Sequence, residues 1–190
     1  MYTVTARVAA VIALLYAARR YYRNWGTTKE ECRSWLLGDE LVHAPFTRST
    51  EGVWIDAAPS AVWPWLTQAL GSERVLSPGD VIPIGRSDHL GWLPQPMMTV
   101  EQVVAGEAVV LRGSPPGFPW EAVWSFHLQP RWDDRCRLLL RMRAHLRRPG
   151  EVLKVELTGP ATALTMRATL RAVKHRAESA SQSGRLQGAC

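Results

Sequence analysis

Four acid or base side chains stand where they could transfer a proton: Asp80, Asp88, His89 and His127. Asp88 and His89 are adjacent in a stretch bounded by glycines, so a loop could present them together at the mouth of a pocket. A single Asp-His pair specifies an active site poorly, however. The sequence contains neither G-x-S-x-G nor a glycine-rich phosphate loop. It therefore favours a binding protein over an enzyme, with Asp88 and His89 as weak catalytic candidates.

The cysteines do not indicate a metal site, and no cofactor is predicted. Cys32, Cys136 and Cys190 are widely spaced, without a C-x-x-C motif or a histidine at metal-ligand spacing. This pattern disfavours a zinc site or a disulfide framework. We expect Cys136 to be a buried, apolar residue of a strand and Cys190 to be a free thiol.

Composition places the chain among folded soluble domains. It has 190 residues, of which 46% are hydrophobic and 21% charged, and this balance excludes a disordered chain or a multi-span membrane protein. The formal net charge of +6 comes almost entirely from arginine and favours anionic partners. We expect a leader over residues 1–25, an extension over 26–46, one ligand-binding domain over 47–179 and a disordered tail over 180–190.

The leader contains an unbroken apolar run over residues 8–18, followed by Arg19, Arg20 and Arg23. A transmembrane helix needs about 20 apolar residues, so this run is short for a span. It is compatible with a membrane anchor or interfacial helix, with a helix docked on the domain, and with a signal sequence that lacks an A-x-A cleavage site. We expect the three arginines to lie near an anionic membrane surface, on the cytoplasmic side of the inner membrane. The alternative is a soluble cytoplasmic protein.

Hydrophobic periodicity predicts an α+β order of elements. A capped short helix is expected over residues 29–37, a strand over 47–56 and a helix from Pro59 to residue 70 with a kink at Pro64. Short strands are expected over residues 81–84, 97–104 and 107–112, and two long antiparallel strands over 122–129 and 135–145. A final amphipathic helix is expected from Pro160 to about residue 179.

Alternation divides the two long strands into an apolar face and a polar face. The apolar face should meet a stripe of the last helix and either fill a core or line a ligand cavity. The candidate ligand-binding residues are Trp63, Trp124, Phe126, Leu138, Leu140, Met142, Met166 and Leu170. The polar face carries His127 and a row of arginines at positions 135, 137, 141 and 143, which we expect to be solvated. No nucleic-acid partner is expected, because the aromatic residues lie on the opposite face.

Three stretches of the chain resemble a known superfamily. They are Trp25-Gly26-Thr27-Thr28 through residue 42, Val62-Trp63-Pro64-Trp65-Leu66 after Ile55-Asp56-Ala57, and Trp124-Ser125-Phe126 with Arg137-Leu138-Leu139. In these residues the chain resembles the START-like, polyketide cyclase/dehydrase superfamily (SRPBCC), in particular its uncharacterised bacterial members with a W-G-x-T opening and a V-W-P-W-L helix. The resemblance covers roughly residues 25–178. The middle of the chain is shortened relative to that group, because residue 75 leads almost directly to Pro78-Gly79-Asp80.

The resemblance implies a helix-grip fold, in which a curved antiparallel sheet surrounds a long C-terminal helix and encloses an apolar cavity. The expected function is the binding of a hydrophobic small molecule or lipid without a cofactor. One alternative is an enzyme of the cyclase/dehydratase or aromatase type that uses the same cavity. Another is a membrane- or partner-binding protein whose cavity has collapsed.

Overall fold

The computed structural model describes residues 6, 7, 10, 13, 17, 23–71, 75–84, 97–116, 118–132 and 134–187, without the side chains of residues 149, 153 and 184–187. The strands are β1 (Thr47–Ile55), β2 (Val81–Pro83), β3 (Met97–Val104), β4 (Ala108–Gly113), β5 (Glu121–Trp132) and β6 (Arg135–His145). The helices are α1 (Lys29–Arg33), a 3₁₀ helix (Asp39–Leu41), α2 (Pro59–Ala69) and α3 (Pro149–Gln187).

The six strands form one antiparallel sheet in the order β1-β6-β5-β4-β3-β2. Consecutive strands from β2 to β6 are neighbours, whereas β1 pairs with β6 at the far edge. β-Bulges interrupt the register between Val100 and Gln102 and between Pro130 and Trp132, and such bulges bend and twist a sheet. The sheet and the long final helix confirm the predicted helix-grip α+β fold.

Helix α3 begins eleven residues before the predicted start at Pro160. Pro149 opens the helix, and the Glu151 carboxylate accepts hydrogen bonds from the backbone N–H groups of Arg147 and Arg148. Pro160 lies inside the helix, where it lacks one backbone donor without ending the helix. The helix then continues through the predicted tail as far as Gln187. Cys190 lies outside the described residues.

The helix predicted over residues 29–37 is shorter than expected. It begins as a capping box, in which the Thr28 hydroxyl accepts from the Glu31 N–H and the Glu31 carboxylate accepts from the Thr28 N–H. It ends at Arg33 because Ser34 has an extended ψ of 145°. The extended backbone leaves Trp35 exposed and Leu36 buried.

The leader is described at five positions and at Arg23. Residues 6, 7, 10, 13 and 17 are helical and exposed. Arg23, predicted to be near a membrane, donates to the Glu156 carboxylate of α3 at 3.0 Å. Arg19 and Arg20 lie outside the described residues. None of the helices, as far as the structure describes them, has the length and apolar character needed to cross a membrane.

Candidate functional site

The inner face of the sheet, which packs against α3, carries the predicted apolar side chains. β5 and β6 pair Trp124 with Met142 and Phe126 with Leu140 in the expected register. The predicted residues gathered in or against this apolar cluster are Trp63, Trp124, Phe126, Leu138, Leu140, Met142, Met166 and Leu170. The alternation therefore identified the inner face correctly. Contact of these residues with a ligand stays a prediction.

Burial differs between the two ends of the inner face. Near the junction of β1 with α2, Ile55, Leu138 and Leu170 are completely buried. Toward the start of β5 and the end of β6, Met142 is half-buried and Trp124 retains 7% of its surface. Met166 of α3 retains 5%, and Trp120 and Leu146 pack against the cluster while half-exposed. We call this less covered region, defined by Trp120, Trp124, Met142, Leu146 and Met166, the open end.

The α2 helix contributes two tryptophans to the other end of the cluster. Trp63 and Trp65 lie on opposite sides of Pro64, and spacing alone predicts that one of them faces the core. Both are half-buried and pack against the cluster. The Thr67 hydroxyl donates to the carbonyl groups of Trp63 and Pro64 and so satisfies acceptors next to the proline.

A charged pair interrupts the apolar inner face. Glu51 of β1 pairs in register with Leu140 and is 0% exposed. Its Oε1 accepts from Nε of Arg167 on α3 at 3.3 Å, and its Oε2 has no hydrogen-bond partner among the described residues. Burial raises the pKa of Glu51 to about 7, although Arg167 opposes this shift. Sequence reasoning missed this pair, although Glu51 has the same strand parity as Val53 and Ile55.

Residues 24–27 cross the edge of the sheet at β1. The Trp25 carbonyl accepts from the Gly52 N–H at 3.1 Å, and the Asn24 side chain accepts from the Thr50 N–H. The Trp25 ring reaches α3, where the guanidinium carbons of Arg167 and Arg171 lie 5.3 and 4.8 Å from its centroid. We call residues 24–27 the edge segment, since they join the inner and outer faces of the domain.

The extension covers the outer face of the sheet. Gly38 has a φ of +93°, and a Cβ atom there would lie 2.8 Å from the side chain of Val110. This contact places residue 38 directly on the outer surface of β4. The glycine is required both by its backbone conformation and by this close approach.

The predicted solvated arginine row is wrong for Arg137, Arg141 and Arg143, which are all buried. Arg137 binds both carboxylate oxygens of Glu31, at 2.8 and 3.0 Å. Alternation identified the face correctly, but it carries no information about the acidic extension that covers that face. Arg135, beyond this cover, has an exposed side chain that pairs with Asp56.

Asp39 joins the other two buried arginines. Its Oδ2 accepts from Arg141 Nη1 at 2.6 Å, and its Oδ1 lies 2.8 Å from Arg143 Nη1. Arg141 also donates to the carbonyl groups of Glu31 and Ser34, and Arg143 donates to that of Val42. We call the three arginines with Glu31 and Asp39 the outer polar layer.

The prediction of a surface histidine is also wrong, because His127 is buried with 6% exposure. Burial, and secondarily the nearby Arg141 charge, lowers its pKa to about 4. His127 is therefore neutral at pH 7 and lies on the outer face, away from the apolar cluster. The same extension that buries the arginines accounts for its burial.

Of the other acid or base candidates, Asp80 belongs to the described part of the chain. Asp80 is exposed and accepts a hydrogen bond from the Ser77 N–H within its own turn. Asp88 and His89 lie outside the described residues. Cys136 is buried, as predicted, and Cys32 is partly buried. No group of three or more His, Cys, Asp or Glu side chains within the described ranges could hold a metal ion.

Comparison with solved structures identifies the fold. A Staphylococcus aureus protein of unknown function matches with a TM-score of 0.52 and 13% identity, over 72% of this chain and 97% of its own. A norcoclaurine synthase point mutant from Thalictrum flavum, in complex with a transition-state analogue, matches with a TM-score of 0.51 and 14% identity, over 71% and 96%. The Zhui aromatase/cyclase from a Streptomyces species gives 0.49 and 17%, over 70% and 93%.

Sequence comparison adds no closer relative: no protein-family model and no curated protein matches the chain. At 13–14% identity, the structural similarities define the fold. Together with the six-stranded antiparallel sheet and the long C-terminal helix, they show that this chain has the helix-grip fold, as its sequence resemblance to the START-like, polyketide cyclase/dehydrase superfamily implies.

Proposed function

We propose that this domain binds a hydrophobic small molecule between the inner face of the sheet and α3. The observation that carries the proposal is the unequal burial of the inner face. A core that serves stability alone gains from covering every apolar side chain. Here Ile55, Leu138 and Leu170 are completely covered, whereas at the open end Met142 is half-buried and Trp124 and Met166 keep 7% and 5% of their surface.

The residues of the open end suit an apolar ligand. Tryptophan supplies a large flat surface, and methionine supplies a flexible, polarizable side chain that adapts to different shapes. The closed end, with Phe126, Leu138, Leu140 and Leu170, would form the floor of the site. Apolar walls with few polar groups are typical of sites for small hydrophobic molecules.

Naphthalene is a suitable first probe because it is apolar and has no hydrogen-bonding group. Equilibrium dialysis against the full chain should show saturable binding of one molecule per protein. Met142→Trp, which adds bulk at a half-buried position of the open end, should weaken binding about tenfold or more. Val104→Trp adds the same side chain at an exposed position of β3 and should leave the affinity unchanged.

Two results would contradict the proposal. One is the absence of saturable binding to wild-type protein that unfolds cooperatively. The other is an equal loss of naphthalene affinity in Met142→Trp and Val104→Trp, which would show that the ligand does not bind at the open end. Thermal unfolding of each variant shows whether a lost affinity reflects a lost fold.

A further inference from the structure

Glu51 and Arg167 form a buried ion pair on the largely apolar inner face of the sheet. Glu51 is held from β1 and Arg167 from α3, so the pair spans the space proposed for the ligand. Arg167 occupies Oε1, while Oε2 is buried and has no hydrogen-bond partner among the described residues. A buried polar atom that lacks a partner is costly, because it has lost its bonds to water without replacement.

No second donor from the described part of the chain reaches this oxygen. The Arg167 contact is made by Nε at 3.3 Å, and its guanidinium group lies over the Trp25 ring. Of the strand residues next to Glu51 on the same face, Val53 and Leu140 are apolar and Ser49 is polar, but none of them is hydrogen-bonded to Oε2. Because burial raises the pKa of Glu51 to about 7, both the protonated and the ionised carboxyl group occur near neutral pH.

We propose that Glu51, oriented by Arg167, binds a hydroxyl group of an otherwise apolar ligand. A hydroxyl group can donate to an ionised carboxylate and accept from a protonated one, so it satisfies Oε2 in either state. An ammonium group would meet the positive charge of Arg167, and a carboxylate would be repelled by ionised Glu51. This inference rests on the proposed function and names its ligand class: a hydrophobic alcohol or phenol.

The hydroxyl group reaches Oε2 from the open end. Glu51 itself is fully buried, and Met166, which precedes Arg167 on α3 and belongs to the open end, keeps 5% of its surface exposed. The unbranched side chain of Met166 has several rotatable bonds and can move aside without a backbone change. A ligand hydroxyl group bound at this point would supply the hydrogen-bond partner that Oε2 lacks.

A matched pair of probes tests the inference. 2-Naphthol and naphthalene share an apolar ring system and differ by one hydroxyl group. Equilibrium dialysis at pH 7 gives the ratio of their dissociation constants for each protein. In the wild type this ratio should favour 2-naphthol about tenfold more than in Glu51→Met, whose side chain is similar in length but has no carboxyl group.

Two variants control the comparison. Glu107→Met removes an exposed carboxylate from the turn between β3 and β4 and should keep the wild-type preference. If Glu51→Met does not fold because the buried Arg167 loses its ion pair with Glu51, Glu51→Met/Arg167→Met removes both charges and should show the same loss of preference. In either folded variant the affinity for naphthalene should stay within about twofold of wild type.

The outcomes separate the two proposals. Failure of the wild type to bind naphthalene overturns the proposed function. Binding of naphthalene with no preference for 2-naphthol that depends on Glu51 overturns the hydroxyl assignment alone. A preference that survives in both folded Glu51 variants overturns it as well.

Discussion

The two faces of the sheet bury charge in opposite ways. On the outer face, Arg137, Arg141 and Arg143 meet two carboxylates and several backbone carbonyl groups of the extension. On the inner face, Glu51 meets one arginine and keeps one oxygen without a partner. In the outer layer Asp39 Oδ1 and Arg143 Nε also lack a hydrogen-bond partner, although Asp39 Oδ1 lies 2.8 Å from Arg143 Nη1. The two faces therefore differ in how many donors and acceptors meet each buried charge: several on the outer face and one on the inner face.

The difference also appears in the pKa values of the acidic residues. Burial alone would raise the pKa of Glu31, but hydrogen bonds from Arg137 and from the Thr28 backbone outweigh it and lower the pKa. For Glu51, burial outweighs the single arginine and raises the pKa to about 7. The outer face therefore stabilises the Glu31 carboxylate as an ion, whereas burial on the inner face favours the neutral form of Glu51.

The largest expected effect comes from breaking the outer polar layer. Asp39→Ala should lower the free energy of unfolding by about 3–5 kcal/mol, because it leaves two buried arginines without their carboxylate. Urea unfolding measures the change. Asp56→Ala, which removes the partner of the exposed Arg135, should cost less than about 1 kcal/mol. Similar losses in the two variants would contradict a structural role for the buried layer.

The second prediction concerns the pH dependence of stability due to Glu51. Its pKa is about 7 in the folded state and near the ordinary 4.5 in the unfolded state, so the folded state binds the proton more tightly. The resulting stabilisation is complete below about pH 4.5 and is lost as the pH rises through 7. The free energy of unfolding of Glu51→Gln should therefore change with pH by about 3 kcal/mol less than that of the wild type.

Urea unfolding of wild type and Glu51→Gln between pH 4.5 and 8 isolates this contribution, since other titrating groups are common to both proteins. Among the described residues, the ion-pair partner of Glu51 is Arg167, and both proteins in this comparison retain it. Parallel stability curves for the two proteins would show that Glu51 titrates normally in the folded state.

The strands of the sheet were predicted more accurately than the segments that pack against it. Period-two alternation predicted β6 over the observed residues and identified the inner faces of β5 and β6, because the two-residue repeat fixes which side chains share a face. It could not show whether the polar face meets water. The cover comes from residues more than 100 positions away: Glu31 and Asp39 contact Arg137 and Arg141. No local pattern encodes that contact.

The candidate site was predicted only in its apolar part. A strong signal for the polar part was present, since Glu51 alternates with Val53 and Ile55 and so lies on the inner face. Its partner Arg167 directly follows the core residue Met166 on α3. Sequence spacing does not show how far a helix is buried, and here the edge segment covers that part of α3 through Trp25.

The third prediction tests the edge segment that connects the two faces. Gly26 has a φ of +73°, and a Cβ there would clash with the Gly52 carbonyl oxygen. Gly26→Ala should therefore lower the free energy of unfolding by about 2–3 kcal/mol, from backbone strain and the steric clash. Gly106→Ala is the matched control, because Gly106 has a φ of +78° and open space around it, and it should cost about 1 kcal/mol. Equal costs would mean that the edge segment does not pack tightly on β1.

The smallest expected effect concerns the cap of α1, which positions Glu31 in the outer polar layer. The Thr28 hydroxyl accepts from the Glu31 N–H at 3.2 Å, while Glu31 bonds both the Thr28 N–H and Arg137. Thr28→Ala should lower the free energy of unfolding by about 1 kcal/mol, measured in urea, whereas Thr28→Ser keeps the hydroxyl and should cost little. Naphthalene binding should not change in either variant, because the cap lies on the outer face. A loss of binding in Thr28→Ala at unchanged stability would show that the outer layer controls the inner site.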